Sequence, residues 1–150
     1  MSSATQPAWG EHARTALARA GHRASAPREE VIDALGELGC SVTAREIADH
    51  LRGRGSGVGL ASIYRALELL DRMRLVQRFD VGEGVARYEP AHPNGDHHHH
   101  VVCDSCGRLE AFEDDGLERA IARLAAKTAF NVAGHDVTLH GECPACSTGT

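Results

Sequence analysis

The chain has 150 residues, 42% of them hydrophobic, and a formal net charge of −5 at pH 7. That length suits one domain or two small ones, and no apolar run reaches the length of about 18 residues that a membrane-spanning helix needs. The first ten residues lack a basic segment followed by an apolar one, so we expect no secretion signal, a disordered segment over residues 1–10, and a cytoplasmic protein with no membrane partner.

The charge is unevenly distributed along the chain. Residues 1–90 hold 12 arginines and 12 acidic residues, whereas residues 91–150 hold 4 basic and 9 acidic residues. Arginines cluster in the first part, at Arg14, Arg19, Arg23 and Arg28 and again at Arg52, Arg54 and Arg65. Such clusters can present a positive face to nucleic acid, although solvated helix surface is the simpler interpretation of charge alone.

The first half of the chain has the spacing of helices followed by strands. Apolar residues at helical spacing predict helices over Glu11–Ala20, Pro27–Leu38, Thr43–Leu51 and Leu60–Met73. Thr43 with Glu46 forms a capping box. The period then changes, and Leu75–Asp80 and Val85–Glu89 are predicted strands. Helices followed by a hairpin are the order of a winged helix-turn-helix, which lays its last helix in the major groove, so we predict a DNA-binding domain over residues 11–90.

The second half of the chain is predicted to form a smaller domain. Pro93, Asn94 and Gly95 signal a turn, so residues 91–96 are a predicted linker and residues 97–150 a second domain. Its predicted elements are, in order, strand His98–Val102, turn Cys103–Gly107, strand Arg108–Phe112, helix Asp115–Thr128 and strand Asp136–His140. The fold class is therefore α+β: a winged helix-turn-helix domain followed by a small α/β domain. A domain of this size usually needs disulfides or a structural metal ion for stability.

Two Cys-x-x-Cys pairs predict a structural metal site that would stabilise the second domain. Cys103 with Cys106 and Cys143 with Cys146 can each form a turn that supplies two thiolates, and together they complete a tetrahedral zinc shell. A full shell leaves no position for substrate, so the predicted zinc is structural. Four free thiols or a redox pair are the alternatives. Cys40 stands apart, on a helix end, and is interpreted as a small buried residue.

The run from His97 to His100 predicts two further metal sites. Side chains of a strand alternate between its faces, so His97 and His99 point one way, and His98 and His100 the other. The first pair is combined with Glu118 and His135 as one site within the second domain. The second pair is combined with ligands at the join between the domains, namely His92, Glu89 and, as a further candidate, Asp80. Each added ligand has an alternative, as a solvated glutamate or a hydrogen-bonded core histidine.

Four segments together resemble the ferric uptake regulator (Fur) family. They are Leu17-Ala-Arg-Ala-Gly-His-Arg23 with Pro27-Arg28, Gly59-Leu-Ala-Ser-Ile-Tyr64-Arg65-Ala-Leu67, His97-His-His-His-Val-Val-Cys-Asp-Ser-Cys-Gly107 and Gly141-Glu-Cys-Pro-Ala-Cys146. They occur in the family's order across residues 11–146. The resemblance implies a dimeric metal-sensing repressor with an N-terminal winged helix and a C-terminal dimerisation domain.

The resemblance also implies DNA-binding residues. Tyr64 and Arg65 match the family's base-contacting pair, and Arg23 matches a basic residue that enters the minor groove; Ser62 and Arg28, in the same motifs, are further candidates. An arginine can bond guanine O6 and N7 in a fork, and a tyrosine ring can pack on a thymine methyl. The alternative for Tyr64 is that its ring closes the edge of the core.

For the metal sites, the resemblance supports His97, His99, Glu118 and His135 as one ligand set. The interdomain set departs from the iron-sensing pattern, because Ser41 stands where an iron sensor usually has a histidine and Ala111 where a carboxylate is common. Zinc-sensing members take a ligand from the loop before the histidines, where His92 falls. This favours the zinc uptake regulator (Zur) branch, with iron next, over a peroxide sensor.

The predicted function is a homodimeric, metal-responsive repressor of metal uptake genes on a two-fold AT-rich operator in double-stranded DNA. It would hold a structural zinc ion and a second regulatory divalent metal, zinc or iron. The sequence gives no partnered general base for the rival class, a zinc-dependent hydrolase, so no enzyme activity is predicted. A metal buffer or adaptor that does not touch DNA is the third alternative.

Overall fold

The computed structural model describes residues 6–39, 41–81, 84–91 and 98–148. Cys40, His92 and His97, each given a role above, lie outside these residues. The chain divides into two compact units, residues 1–96 and 97–150. Across the described part of the chain, no helix is long and apolar enough to cross a membrane.

Unit 1 consists of helices followed by a hairpin, as predicted. Its elements are α1 (Gln6–Arg19), α2 (Ala26–Leu38), α3 (Ala44–Gly53), α4 (Leu60–Arg72), β1 (Val76–Asp80) and β2 (Ala86–Pro90). The capping box at Thr43 is confirmed in both directions, with 3.1 Å for each of the two hydrogen bonds to Glu46. Gly39 ends α2 with a φ of 78°, which favours glycine over residues with a side chain.

The expectation that residues 1–10 are disordered is wrong for residues 6–10. α1 begins at Gln6, and Trp9 is completely buried. The indole N–H of Trp9 donates a 2.8 Å hydrogen bond to the carbonyl of Leu75, just before β1. The spacing of Trp9, Ala13 and Leu17 continues the buried stripe of α1 toward its start, so the signal was present in the sequence.

The core of unit 1 forms where α1 to α4 meet the hairpin. Its fully buried side chains include Leu35 from α2, Ile47 from α3, and Ile63, Leu67 and Leu70 from α4. β1 and β2 pair in antiparallel fashion, with Gln77 opposite Glu89. An isolated bridge between Val42 and Tyr88 ties the start of α3 to β2. This packing fixes α4 by one face and leaves its opposite face at the surface.

Unit 2 is a three-stranded sheet with two helices. Its elements are β3 (His99–Cys103), β4 (Leu109–Phe112), α5 (Asp115–Ala126), β5 (Thr138–Gly141) and α6 (Pro144–Ser147). The strand order is β4-β3-β5; β3 is antiparallel to β4 and parallel to β5. Because α5 lies in the connection between β4 and β5, β5 returns beside β3. The short helix α6 was not predicted.

Candidate metal centres and nucleic-acid interface

The topology of unit 2 brings the two cysteine pairs together. β3 ends at Cys103 and its parallel neighbour β5 ends at Gly141, its register partner, so both turns leave the same edge of the sheet. The four sulfur atoms lie within 4.8 Å of one another. Zinc–sulfur bonds of about 2.3 Å in a tetrahedron put sulfurs about 3.8 Å apart. Cys106 Sγ and Cys143 Sγ are 3.8 Å apart, so these donors fit one zinc ion.

Hydrogen bonds from backbone N–H groups lower the pKa of one of the thiols. The N–H of Cys143 donates to Sγ of Cys103 over 3.3 Å, and hydrogen bonds of this kind lower the pKa of Cys103 to about 6. Hydrogen bonding with the neighbouring thiols, chiefly Cys143, instead raises the pKa of Cys146 to about 12. Four thiols this close cannot all ionise unless a cation offsets their mutual repulsion. The donor set therefore has the chemistry of a metal site.

Contacts between the two turns hold them in place. Gly107, with a φ of 79°, returns its N–H to the carbonyl of Cys103. Across the gap, His140 Nδ1 lies 3.0 Å from Asp104 Oδ1, and Ser105 Oγ donates to Glu142 Oε1 over 3.0 Å. These two contacts could not be predicted from the sequence, because an exposed His, Asp, Ser or Glu beside a cysteine pair has no distinctive spacing.

One face of β3 carries a second group of ligands. His99 is 1% exposed, and its Nε2 lies 2.5 Å from Glu118 Oε1 on α5. His135 Nε2 lies 2.8 Å from the other carboxylate oxygen of Glu118. The N–H of Val137 donates to His99 Nδ1 over 3.1 Å, which orients the ring with Nε2 toward the carboxylate. The structure thus brings together the described members of the predicted set, His99, Glu118 and His135.

The other face of the histidine run carries His98 and His100. Their ring centroids are 5.4 Å apart in an edge-on arrangement, as expected for residues two apart on a strand. Ala111 is the register partner of His100 on β4, so a methyl group stands there. The alternation predicted for the run is present in the described residues His98 to His100.

The structure separates Asp80 from Glu89. Glu89 pairs with Gln77 across the hairpin, whereas Asp80 pairs with Ala86, three residue pairs away. The two carboxylates also differ in strand parity, so they lie on opposite faces of the hairpin. The Asp80 carboxylate lies 3.5 Å from Nη2 of Arg78 instead. Asp80 is therefore not placed to share an ion with Glu89, and its inclusion in the interdomain set is wrong.

Helix α4 presents the predicted base-contacting residues to solvent. Ile63, Leu67 and Leu70 are buried, whereas Tyr64 is 45% exposed and Arg65 is also exposed. Tyr64 is not part of the buried cluster, which disfavours its alternative role at the core edge. Nη2 of Arg65 donates to Oγ of Ser62 over 3.0 Å, so these two side chains lie on one surface. This surface can contact base edges.

Arg23 and Arg28 have different positions. Arg23 is exposed in the loop before α2, and Nη1 of Arg28 donates to its carbonyl oxygen over 2.7 Å. Ser25, between them, caps α2 by accepting a hydrogen bond from the backbone of Arg28. Arg28 therefore supports the loop that carries Arg23 toward solvent.

Comparison with known proteins places this geometry in a family. A sequence model described as the ferric uptake regulator family matches residues 19–140. A ferric uptake regulation protein of Synechococcus elongatus is 34% identical over 128 residues, which cover 84% of this chain and 86% of that protein. The chain belongs to the ferric uptake regulator family. It is a metal-binding, DNA-binding transcriptional regulator and not an enzyme, so the hydrolase alternative is set aside.

Two solved structures have the same fold. The ferric uptake regulator of Helicobacter pylori, described as having three functional metal-binding sites, is 26% identical with a TM-score of 0.74, and the match covers 95% of this chain and 94% of that one. A zinc uptake regulator in complex with zinc and DNA is 25% identical with a TM-score of 0.61, and the match covers 95% of both chains. The α+β class, with an N-terminal DNA-binding and a C-terminal dimerisation domain, is confirmed.

Proposed function

We propose that this protein is a zinc-responsive repressor of metal uptake genes. The observation that carries the proposal is the division of the histidine run between two faces of β3. His99 and His135 both contact the carboxylate of Glu118, while the rings of His98 and His100 lie together on the other face. The second face thereby offers a nitrogen-rich donor set separate from the first. One centre can then be constitutive and the other can respond to metal supply.

The regulatory ligands are proposed to be His98 and His100, joined by Glu89 from the end of the hairpin and by His92. Glu89 lies on β2, one residue before that strand ends, and His98 directly precedes β3. A bound divalent ion would supply a positive charge and a fixed coordination geometry that link these side chains. Ligands drawn from both units restrict the positions that the units can adopt, and this selects the arrangement that binds DNA.

Zinc is preferred over iron in this proposal because the chain departs from the iron-sensing pattern at two positions. Ser41, which stands where iron sensors usually have a histidine, offers a hydroxyl, and Ala111 opposite His100 offers no donor. Imidazole suits zinc and iron alike, so the preference for zinc rests on these two departures from the iron-sensing pattern and on His92, which falls in the loop where zinc-sensing members take a ligand. The four cysteines are proposed to hold a separate structural zinc ion, and His97, His99, Glu118 and His135 the second-domain ion.

DNA recognition is assigned to α4. Tyr64, Arg65 and Ser62 would meet base edges in the major groove, and Arg23 would reach the adjacent minor groove. Two copies of the chain would place two α4 helices on a two-fold AT-rich operator. A dimer surface in unit 2 is supported by its exposed large apolar residues, among them Leu124 at 64%, Phe130 at 80% and Leu139 at 51%. Apolar surface of this kind is typical of interfaces between subunits.

The test is a His98→Ala variant assayed by fluorescence anisotropy on operator DNA. We expect the variant to remain a dimer with its cysteine-bound zinc, and to lose the increase in operator affinity that added zinc produces in the unmodified protein. The matched control is His12→Ala, because His12 is an exposed histidine of α1 outside both histidine groups. Zinc-dependent operator binding that persists in His98→Ala would refute the assignment of the switch.

A further inference from the structure

A surface cleft lies beside α4 and involves none of the residues assigned to base contact. It has a volume of about 360 Å³ and opens between α3 and the segment Ser56–Leu60 that leads into α4. Its polar lining comes mainly from Arg45, Asp49 and Arg52 on α3. The cleft therefore lies beside the N-terminal end of α4.

The charge of the cleft is positive. Arg45 is exposed and, within the described residues, has no carboxylate at ion-pair distance. Nη1 of Arg52 lies 3.0 Å from Asp49 Oδ1, with side chains 75% and 71% exposed. An exposed pair of this kind is weak, so Arg52 can exchange Asp49 for a stronger anion. Two guanidinium groups against one carboxylate leave a net positive charge that suits a phosphate group.

Two glycines line the cleft: Gly57 in the loop, and Gly59 at the N-cap of α4, where glycine is one of the favoured residues. Gly57 and Gly59 both border it, and neither has a positive φ. A Cβ added at either position would meet no atom within 4 Å. Neither backbone strain nor crowding therefore requires glycine there. A ligand that approaches the backbone closely does require it, because a side chain would fill the space that the ligand occupies.

We propose that this cleft binds a backbone phosphate of the operator, through Arg45 and Arg52, beside the bases that α4 contacts. The proposal rests on the DNA-binding function assigned above. In helix-turn-helix proteins the helix before the recognition helix crosses the DNA backbone, and α3 holds that place here. Phosphate contacts position the protein, whereas base contacts specify the sequence. The cleft would thus fix the depth and register of α4 in the groove.

The experiment measures metal-saturated binding to operator and to an unrelated duplex over a range of salt concentrations. Arg45→Ala and Arg52→Ala are each expected to weaken both complexes by a similar factor, about tenfold at low salt, and to lower the slope of log affinity against log salt by about 1 per chain. Arg123→Ala, on α5 of unit 2, is the control and should leave the slope unchanged.

Glycine variants test the space in the cleft without changing charge. Gly57→Val should weaken both complexes while the thermal unfolding midpoint stays unchanged. Gly53→Ala is the matched control, because Gly53 also has open space at its Cβ position but does not line the cleft. We expect it to bind DNA like the unmodified protein.

Three outcomes would overturn the phosphate cleft alone, and a fourth would overturn both proposals. If the unmodified protein binds the operator but both arginine variants keep its salt slope, the cleft does not contact phosphate, and the proposed function stands. If the variants weaken only the operator complex, the arginines read bases. If calorimetry with inorganic phosphate alone gives saturable binding that Gly57→Val abolishes, the ligand is a free anion. Failure of the unmodified protein to bind any DNA would refute both proposals together.

Discussion

Two thiols in the cysteine cluster differ sharply in their readiness to ionise. The pKa of Cys103 is lowered to about 6, because backbone N–H groups donate to its sulfur, while that of Cys146 is raised to about 12 by its neighbouring thiols. At pH 7.5 Cys103 is therefore already mostly ionised in the metal-free cluster. Below pH 6 most of Cys103 is protonated.

This difference predicts a pH-dependent proton release when zinc binds to metal-free protein. A zinc ion bound by the four cysteines requires four thiolates, so the protons that the thiols still hold must leave when zinc binds. We expect fewer protons to be released from the cysteine cluster at pH 7.5 than at pH 5, where Cys103 also starts as a thiol. Calorimetry in buffers of different ionisation enthalpy measures this number. Equal release at the two pH values would contradict the ionisation of Cys103.

Single residues were predicted correctly from the sequence where local spacing decides the direction of the side chain. The alternation of the histidine run follows from strand geometry, so His98 and His100 were separated correctly from His99. Asp80 was placed wrongly because the choice depended on the register of the hairpin, which pairs Glu89 with Gln77. Register is a long-range property that residue type alone did not determine.

Among the elements, α1 is the one whose extent the sequence interpretation missed. Its first turn was assigned to a disordered segment, yet Trp9 packs into the core and bonds to Leu75. The helix was expected to begin at Glu11, although Trp9 already lies on the apolar stripe that continues through Ala13 and Leu17. By contrast, the capping box of α3 and the glycine after α2 gave clear local signals, and those helix ends were predicted closely.

Trp9 is therefore predicted to stabilise unit 1. Trp9→Ala should lower the free energy of unfolding by about 3–5 kcal/mol, because it leaves a large cavity. Trp9→Phe retains most of the apolar contact but removes the indole donor; because the Leu75 carbonyl still accepts from the N–H of Ala91, the lost hydrogen bond should cost about 0.5–1.5 kcal/mol. Urea denaturation followed by circular dichroism measures both values. Equal stability of Trp9→Ala and the unmodified protein would mean that α1 does not belong to the core.

Helix α4 shows how much the periodicity of one element predicts. The apolar stripe of α4 predicted that Ile63, Leu67 and Leu70 face inward, and they are buried. The same periodicity left Arg65 at the surface, where it contacts Ser62. The cleft beside α4 could not be predicted, because its arginines and glycines belong to separate segments that only the packing of α3 brings near Gly57 and Gly59.

For the whole molecule, the order of elements was sufficient to predict the architecture. Helices followed by a hairpin, and then a sheet with two cysteine pairs, gave both the class and the family. The short helix α6 was missed because four residues carry no periodic signal. The sequence did not single out the sensed metal, because the donor types that suit zinc, iron, nickel and manganese overlap.

Metal and DNA binding must be coupled if the proposed switch is correct. A metal that raises operator affinity by some factor must itself bind more tightly to the DNA complex by the same factor. The coupling is a property of the whole dimer, because it requires the unit that holds the metal to control the position of α4. The sensed metal is therefore the one whose free concentration sets operator binding.

The most direct test is a titration of operator binding against buffered free zinc and, separately, buffered free iron(II), on protein that retains its cysteine-bound zinc. We predict that operator affinity rises at a free zinc concentration well below the free iron(II) concentration that has the same effect. Operator binding that responds to iron(II) at concentrations where zinc is inert would contradict the zinc assignment. Operator binding that is unaffected by every metal would contradict metal-dependent repression itself.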